Sequence, residues 1–216
     1  MTSAQPIAIH WFRRDLRLED NTALYEALMH HTTVLPIFIF DTQILDELPR
    51  ADKRVVFIHD TLTQLDARLR AIGSGILCLT GKPLEVWQTL LQTYTISAVY
   101  TNRDYEPYAR QRDAEVYNLL EAHHIPMHVF KDHVVREMDD VLKDDGTPYT
   151  VYTPYSNRWK RTLPEDAFEA KPSEQWLRNC VRMQIQPLPT LTELGFQYIE
   201  TQVPSVLPDN KIIAQY

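Results

Sequence analysis

Five short apolar stretches, separated by amphipathic segments, fill the first two-thirds of the chain and restrict its fold more than any other feature. They span residues 7–12, 34–41, 75–81, 96–102 and 127–132. Each stretch has the length of a strand, and its nearly continuous apolar character is typical of a strand that is buried on both faces. The pattern therefore predicts five strands of one covered sheet.

The segments between these strands have helical periodicity. They span residues 20–31, 54–73, 83–94 and 106–124. In the first segment, Asp20 or Asn21 can cap a helix. In the second, apolar residues recur at helical spacing and Gly73 follows as a C-terminal stop, while Pro83 lies in the first turn of the third. We expect one helix between each pair of successive strands.

Single helices between buried strands require a parallel sheet that is covered on both faces. Because such crossovers are right-handed, the simplest topology is a doubly wound, five-stranded parallel sheet. We therefore predict an α/β fold, a three-layer Rossmann-like sandwich. Ligands of such sheets bind beyond the carboxyl ends of the strands. In this sequence those ends lie at residues 12–15, 40–41, 81, 102–106 and 131–133.

The alternation stops after residue 137, which we take as the end of the α/β domain (residues 1–137). Residues 138–163 begin acidic and become aromatic and basic, and we expect an ordered segment that wraps the surface. Six of the fourteen prolines lie in residues 164–216. Such a segment cannot build its own core, so it predicts an extended, proline-rich connector.

Missing motifs exclude several common functions of a doubly wound sheet. The first turn reads RRDLR, the chain has only five glycines, and neither GxGxxG nor GxxxxGK[ST] occurs, so no glycine loop can enclose a pyrophosphate. GxSxG, HExxH and paired CxxC motifs are also missing. The histidine pairs at 30–31 and 123–124 lie at the ends of predicted helices, where a polar side chain interacts favourably with the helix dipole. We predict no metal site.

The net charge, the length of the apolar runs and the cysteine content limit which partners and which cellular compartment we expect. The net charge is −7, whereas a domain that binds a nucleic-acid backbone by itself normally carries a basic balance. The longest apolar stretch, residues 34–40, is too short to span a bilayer, and the first residues, MTSAQP, lack the pattern of a secretory signal. Cys78 lies in an apolar run and fits a small buried hydrophobe. We expect a cytoplasmic protein with no membrane contact and no obligate protein partner.

Four longer stretches carry a family resemblance when they are taken together. They read WFRRDLRLEDNTAL (11–24), PIFIFDTQIL with KRVVFIHDTLTQLDARL (36–45 and 53–69), YTNRDYEPYARQRDAEV (100–116) and PYTVYTPYSNRW (148–159). In sequence, order and spacing they resemble the N-terminal α/β domain of the DNA photolyase/cryptochrome family, over residues 7–216. Four motifs in register are far more specific than one, so the sequence is identified as a member of that family.

The resemblance implies a longer parent protein. Family members join this domain to a helical domain that binds FAD, and in photolyases light-excited reduced FAD passes an electron to a pyrimidine dimer and splits its cyclobutane ring. The parent is then expected to be a deoxyribodipyrimidine photolyase, a carbon–carbon lyase. Residues 164–216 would lead to the FAD domain, and the ending KIIAQY resembles the start of its first helix. By itself the chain should hold no catalytic residues and be inactive.

Two alternatives stay open beside the photolyase. A cryptochrome-type blue-light photoreceptor would share the fold and pigments, and an electron-transfer-flavoprotein-type nucleotide-binding domain is more remote. The implied partners are the protein's own C-terminal FAD domain and, in the full-length protein, damaged DNA. Arg158, Lys160 and Arg161 form a basic patch that fits either a solvated turn or a contact with DNA phosphate.

The N-terminal domain of this family often binds an antenna pigment, which is a deazaflavin, a folate (methenyltetrahydrofolate) or FMN. DYEPY (104–108) resembles the form found in deazaflavin-binding members, whereas folate-binding members commonly carry Asn-Glu where this chain has Tyr108-Ala109. We therefore favour a deazaflavin-type pigment, with folate or FMN as alternatives. Charged and aromatic side chains suit a polar ring system. The residues that match the lining of that site are Arg14, Phe40, Asp41, Arg54, Phe57, Asp104 and Glu106.

Structural roles compete with pigment binding at several of these positions. We predict that Asp15 and Arg17 form a buried or half-buried ion pair that fixes the first turn, rather than binding a pigment. The two phenylalanines also fit a plain core. The two acidic residues of DYEPY also fit negative charges at a helix N-terminus, and Asp41 fits a turn residue at the end of a strand.

Overall fold

The structure, a computed structural model, describes residues 6–165 and 167–200. The elements are β1 (Ile7–Phe12), α1 (Thr22–His30), β2 (Val34–Asp41), α2 (Thr42–Leu45), α3 (Lys53–Arg70), β3 (Leu77–Gly81), α4 (Pro83–Thr93), β4 (Ile96–Asn102), α5 (Pro107–Ala122), β5 (Met127–Phe130) and α6 (Tyr152–Arg161). Two 3-10 helices span Met138–Asp140 and Ser173–Asn179.

The five strands form one sheet in the order β3-β2-β1-β4-β5, with every neighbouring pair parallel. This confirms the predicted doubly wound α/β sandwich. Strand order reverses between β1 and β4, and ligands of such sheets bind at this reversal. The edge strands are shorter than predicted, because pairing of β3 with β2 begins only at Leu77 and pairing of β5 with β4 ends at Phe130.

The core has two layers, one on each face of the sheet. Successive side chains of β1 point to opposite faces. Ala8 and Phe12 pack in the layer beneath α1 and α3, whereas Ile9 and Trp11 pack in the layer beneath α4 and α5. All six residues of β1 are buried, as expected for the central strand. The continuous apolar run in the sequence follows directly from this double burial.

The described part of the proline-rich segment packs onto the sheet. The backbone N–H of Val181 donates to the carbonyl of Val34 at 2.8 Å. Cys180 and Phe196 are buried in the layer that also contains α1 and α3. The segment builds no core of its own, yet it contributes apolar residues to the core of the α/β domain. The onward path of the connector and the KIIAQY ending lie outside the described residues.

Residues 152–161 form a helix, α6, within the predicted surface-wrapping segment. None of its own residues is buried. Its last turn carries Arg158, Lys160 and Arg161, where positive charge complements the helix dipole. Arg158 pairs with Asp144 at 3.2 Å. The basic patch is therefore the end of an exposed helix rather than a solvated turn.

Candidate functional site

A pocket with a cavity volume of about 290 Å³ opens at the carboxyl edge of the sheet. Its lining comes from the ends of β1 and β2, from the segments after β1 and β4, from α2 and α3, and from the N-terminal parts of α4 and α5. The structure brings five of the seven predicted site residues together in this lining: Arg14, Phe40, Asp41, Asp104 and Glu106. The carboxyl ends of neighbouring parallel strands produce this convergence.

One rim of the pocket is a charged cluster. The guanidinium of Arg14 donates to Glu106 at 2.7 Å and lies 3.4 Å from Asp104. Asp104 is buried, and its carboxylate also accepts the backbone N–H of Glu106 at 3.2 Å, at the start of α5. The hydrogen bond to Glu106 raises the pKa of Arg14. Because Arg14 is about half exposed, its donors can reach a bound molecule as well as these carboxylates.

Another polar group of the lining is the carboxylate of Asp41, which already accepts two hydrogen bonds. One oxygen of Asp41 accepts the backbone N–H of Gln43 at 3.0 Å and caps α2. The other accepts the hydroxyl of Tyr108 at 2.5 Å. Burial and this hydrogen bond to Asp41 raise the pKa of Tyr108, so the phenol stays protonated and remains a donor.

An aromatic side chain, Trp11, also lines the pocket and has a fixed set of neighbours. Trp87 lies edge-on behind it, at 5.5 Å between ring centroids. The guanidinium carbons of Arg13 and Arg112 each lie 5.1 Å from the centre of the Trp11 ring. Asp113 pairs with both arginines. Cation–π contacts of this kind hold the indole in a fixed orientation.

Arg54 and Phe57 lie outside the pocket lining. They belong to α3, whose Val55 and Ile58 do line it. The Arg54 side chain is 71% exposed and pairs with Asp52, the N-cap of α3, at 2.6 Å. Phe57 is 50% exposed, so it is not core. A role of either residue in pigment binding stays a prediction.

The predicted ion pair between Asp15 and Arg17 is wrong. The buried carboxylate of Asp15 accepts the side-chain amides of Asn102 at 2.6 Å and Asn21 at 3.2 Å, together with a backbone N–H two residues upstream. Arg17 instead pairs with Asp132, which follows β5, at 2.8 Å. Two amides on neighbouring elements supply the donors, so the long arginine side chain stays at the surface.

The residues that sequence reasoning missed at the pocket are Trp11, Tyr108 and Arg112. Tyr108 and Arg112 are four positions apart on α5, and that spacing places them on one face of the helix. This periodicity was a usable signal for Arg112. The contact between Tyr108 and Asp41 joins residues 67 positions apart in sequence, and no local pattern could have shown it.

The described part of the chain contains no group of three or more histidine, cysteine, aspartate or glutamate side chains placed to hold a metal ion. Nor does any helix within it have the length and apolar character needed to cross a membrane.

Comparison with known proteins decides the family. The family model described as DNA photolyase matches residues 8–174. The chain belongs to the DNA photolyase family. The deoxyribodipyrimidine photo-lyase of a Synechococcus strain is 34% identical over 201 residues, which is 90% of this chain and 41% of that protein. Cryptochrome-1 of Gallus gallus is 27% identical, over 88% of this chain and 32% of that protein.

Solved structures agree on the fold of this photolyase-type domain. A class III photolyase from Agrobacterium tumefaciens superposes with a TM-score of 0.71 at 22% identity, over all of this chain and 41% of that one. An archaeal photolyase from Sulfolobus tokodaii, described with two FAD molecules and a novel light-harvesting cofactor, gives 0.64 at 26% identity, over 84% and 43%. The chain thus corresponds to the N-terminal α/β domain and spans 41% to 43% of the length of the three photolyases named here.

Proposed function

We propose that this chain is a light-harvesting domain whose pocket at the carboxyl edge holds an antenna pigment. The observation that carries the proposal is the convergence of charged side chains (Arg14, Asp41, Asp104 and Glu106) and aromatic side chains (Trp11 and Phe40) in the lining of one pocket. A lining that combines polar and aromatic groups suits a flat ring system with polar edges.

The residues fit a deazaflavin-type pigment best, with folate or FMN as alternatives. Arg14 supplies donors for ring carbonyl groups, and the carboxylates supply acceptors for N–H and O–H groups. When bound, such a pigment absorbs light and passes excitation energy onward. The chain's own groups bind and orient it. Arg54 and Phe57, exposed on α3 beside the pocket, would close over a part of the pigment that protrudes from the cavity.

For the whole protein we propose a deoxyribodipyrimidine photolyase, with FAD and damaged DNA bound by a domain beyond this chain. Higher identity to the photolyase than to the cryptochrome favours repair over signalling. The chain by itself would then be inactive. Cys78 and Cys180 are free thiols, which suits the reducing cytoplasm that we propose as the compartment.

Pigment binding tests this function directly. The purified chain should bind deazaflavin, methenyltetrahydrofolate or FMN at micromolar concentration. Binding should shift the absorption band of the pigment and slow its rotational tumbling. Titration by absorbance and fluorescence anisotropy measures both. Failure of all three pigments to bind, at concentrations that saturate a full-length relative, would contradict the proposal.

We expect Glu106→Ala to lower pigment affinity about tenfold, because it removes a charged acceptor and the 2.7 Å hydrogen bond that positions Arg14. Glu115→Ala, an exposed glutamate on the same helix outside the pocket lining, is the matched control and should bind as the unchanged chain does. Equal affinity of the two variants would return Glu106 to a purely structural role.

We expect Arg54→Ala to have a smaller effect, about twofold, since Arg54 contributes nothing to the cavity lining. The same titration measures it. A loss as large as that of Glu106→Ala would mean that α3 closes over the pigment more fully than its exposed side chains indicate.

A further inference from the structure

One hydrogen bond joins two side chains of the pocket lining and occupies one oxygen of the Asp41 carboxylate. It joins the hydroxyl of Tyr108, on the first turn of α5, to Asp41 at the junction of β2 and α2, at 2.5 Å. The side-chain oxygen of Gln43 lies 3.3 Å from the same hydroxyl. Both residues of this pair line the cavity. We name this hydrogen-bonded pair of side chains the Tyr108–Asp41 latch.

Both oxygens of Asp41 already accept a hydrogen bond, and each keeps one further lone pair. The first oxygen caps α2 through Gln43, and the second is taken by the phenol. The carboxylate is buried, with 6% of its residue surface exposed, so water cannot easily replace the phenol. A ligand donor that reaches this oxygen from the cavity therefore competes with the phenol of Tyr108 for it.

The size of the cavity also bears on entry. Ligand pockets commonly measure about 300–1,000 Å³, and this cavity lies at the small end of that range, at about 290 Å³. The cavity floor is β1 and β2, whose side chains are buried in the core and cannot give way. Tyr108 is only part-buried, and its ring needs only a rotation about the side-chain bonds to widen the cavity.

We propose that the Tyr108–Asp41 latch is a gate that controls which pigments enter and how fast. A pigment enters when Tyr108 swings outward, and it is retained when its own N–H or O–H donor replaces the phenol at Asp41. The latch therefore selects flat ring systems with a donor on the edge that reaches β2, such as the ring imide of a flavin or deazaflavin. This inference rests on the proposed pigment-binding function.

The ring of Tyr108 is also held on its other side. The guanidinium carbon of Arg112 lies 5.9 Å from its centre, and Arg112 in turn stacks on Trp11. Rotation of Tyr108 therefore disturbs a short chain of contacts that leads to the pocket wall. A purely structural role for Tyr108, tying α5 to α2, makes the opposite prediction for binding, since loosening the tie would then weaken the pocket.

Stopped-flow binding of a deazaflavin, and of the same deazaflavin methylated at its ring imide nitrogen, separates these roles. With the unchanged chain, the observed association rate should reach a plateau as pigment concentration rises, because opening becomes limiting. Tyr108→Phe keeps the ring and removes the hydroxyl. With the unmethylated deazaflavin, whose imide N–H is free, Tyr108→Phe should abolish the plateau, raise the association rate about tenfold and improve affinity.

Two further variants keep the test decisive. Asp41→Asn retains an oxygen for the α2 cap while weakening the bond to Tyr108, so it should also raise the association rate. Tyr117→Phe, on an exposed tyrosine of α5 whose hydroxyl lies 3.5 Å from Glu121, is the matched control and should change nothing. Circular dichroism and the melting temperature establish that each variant is folded.

The outcomes distinguish the latch from the function it rests on. Binding by the unchanged chain at rates equal to those of Tyr108→Phe, or slower binding by that variant, overturns the latch and leaves the pigment pocket standing. Binding by Tyr108→Phe alone supports the latch strongly. If neither chain binds any pigment, the proposed function fails and the latch fails with it.

Discussion

Acidification from pH 7 to pH 4 is expected to lower the free energy of unfolding by about 3 kcal/mol through one side chain, His10. His10 lies in the middle of the central strand and is fully buried. Neither ring nitrogen has a hydrogen-bond partner among the described residues. Its ring meets Phe12 edge-on, with 4.3 Å between centroids. An imidazolium in this position would be both desolvated and unpaired.

Burial is the main reason why the pKa of His10 falls from 6.5 to about 4. Asp15, in the turn after β1, and Asp132, after β5, act against burial, and Arg13 acts with it. In the unfolded chain the same histidine titrates near pH 6.5. Between pH 6.5 and 4 the unfolded chain therefore binds a proton that the folded chain does not, so stability falls as pH falls through that window. Above pH 6.5 the contribution is constant.

Urea unfolding at intervals between pH 7.5 and 4 measures this effect. His10→Leu fills the site with an apolar side chain and removes two unsatisfied nitrogens, so at pH 5 it should exceed the unchanged chain in stability by about 2 kcal/mol more than it does at pH 7.5. His123→Gln, at an exposed position after α5, is the matched control and should leave the difference between the two pH values unchanged. Parallel pH profiles for the unchanged chain and His10→Leu would contradict the assignment.

The strands could be predicted from the sequence because a strand that is buried on both faces carries a continuous run of apolar residues. Residues 7–12 and 34–41 carry such runs, and both form the strands that were predicted, residue for residue. The carboxyl edge followed from topology alone, and that edge brought Arg14, Asp41 and Asp104 to one pocket. The parallel direction of the strands, more than any single motif, predicted where the candidate site lies.

Side-chain partners were far less predictable. Asp15 and Arg17 are two positions apart and opposite in charge, which favoured a local ion pair, yet each found its partner about 90 to 115 positions along the chain. Phe57 and Arg54 matched a family pattern, but the rotation of α3 turns Val55 and Ile58 to the cavity instead. Both differences arise from tertiary packing, which neither charge pattern nor spacing encodes.

We expect Asn102→Ala to destabilise the domain by about 3–5 kcal/mol, because the change leaves a buried carboxylate short of donors. The side-chain amide of Asn102 donates to Asp15 at 2.6 Å and to Asn21 at 2.9 Å. Its oxygen accepts the backbone N–H of Ala23 at 3.0 Å, in the first turn of α1. The Asn102 side chain thus joins the end of β4 to the turn after β1 and to the start of α1. Urea unfolding at pH 7.5 measures the loss, with Asn118→Ala on the exposed face of α5 as the control.

A double-mutant cycle decides whether the buried charge is the cause. Truncating Asn102 also opens a small cavity, and that cost is the same whether residue 15 is charged or neutral. Asp15→Asn keeps the shape of the carboxylate and removes its charge. If Asn102→Ala costs at least 1 kcal/mol less in the Asp15→Asn background, then about that share of the loss comes from the charge of Asp15. Equal costs in both backgrounds would assign the whole effect to packing. The first outcome would mean that the buried carboxylate of Asp15 is held in place by Asn102 at the end of β4, so that this residue of the WFRRDLR motif supports the turn after β1 while Trp11 and Arg14 of the same motif line the pocket.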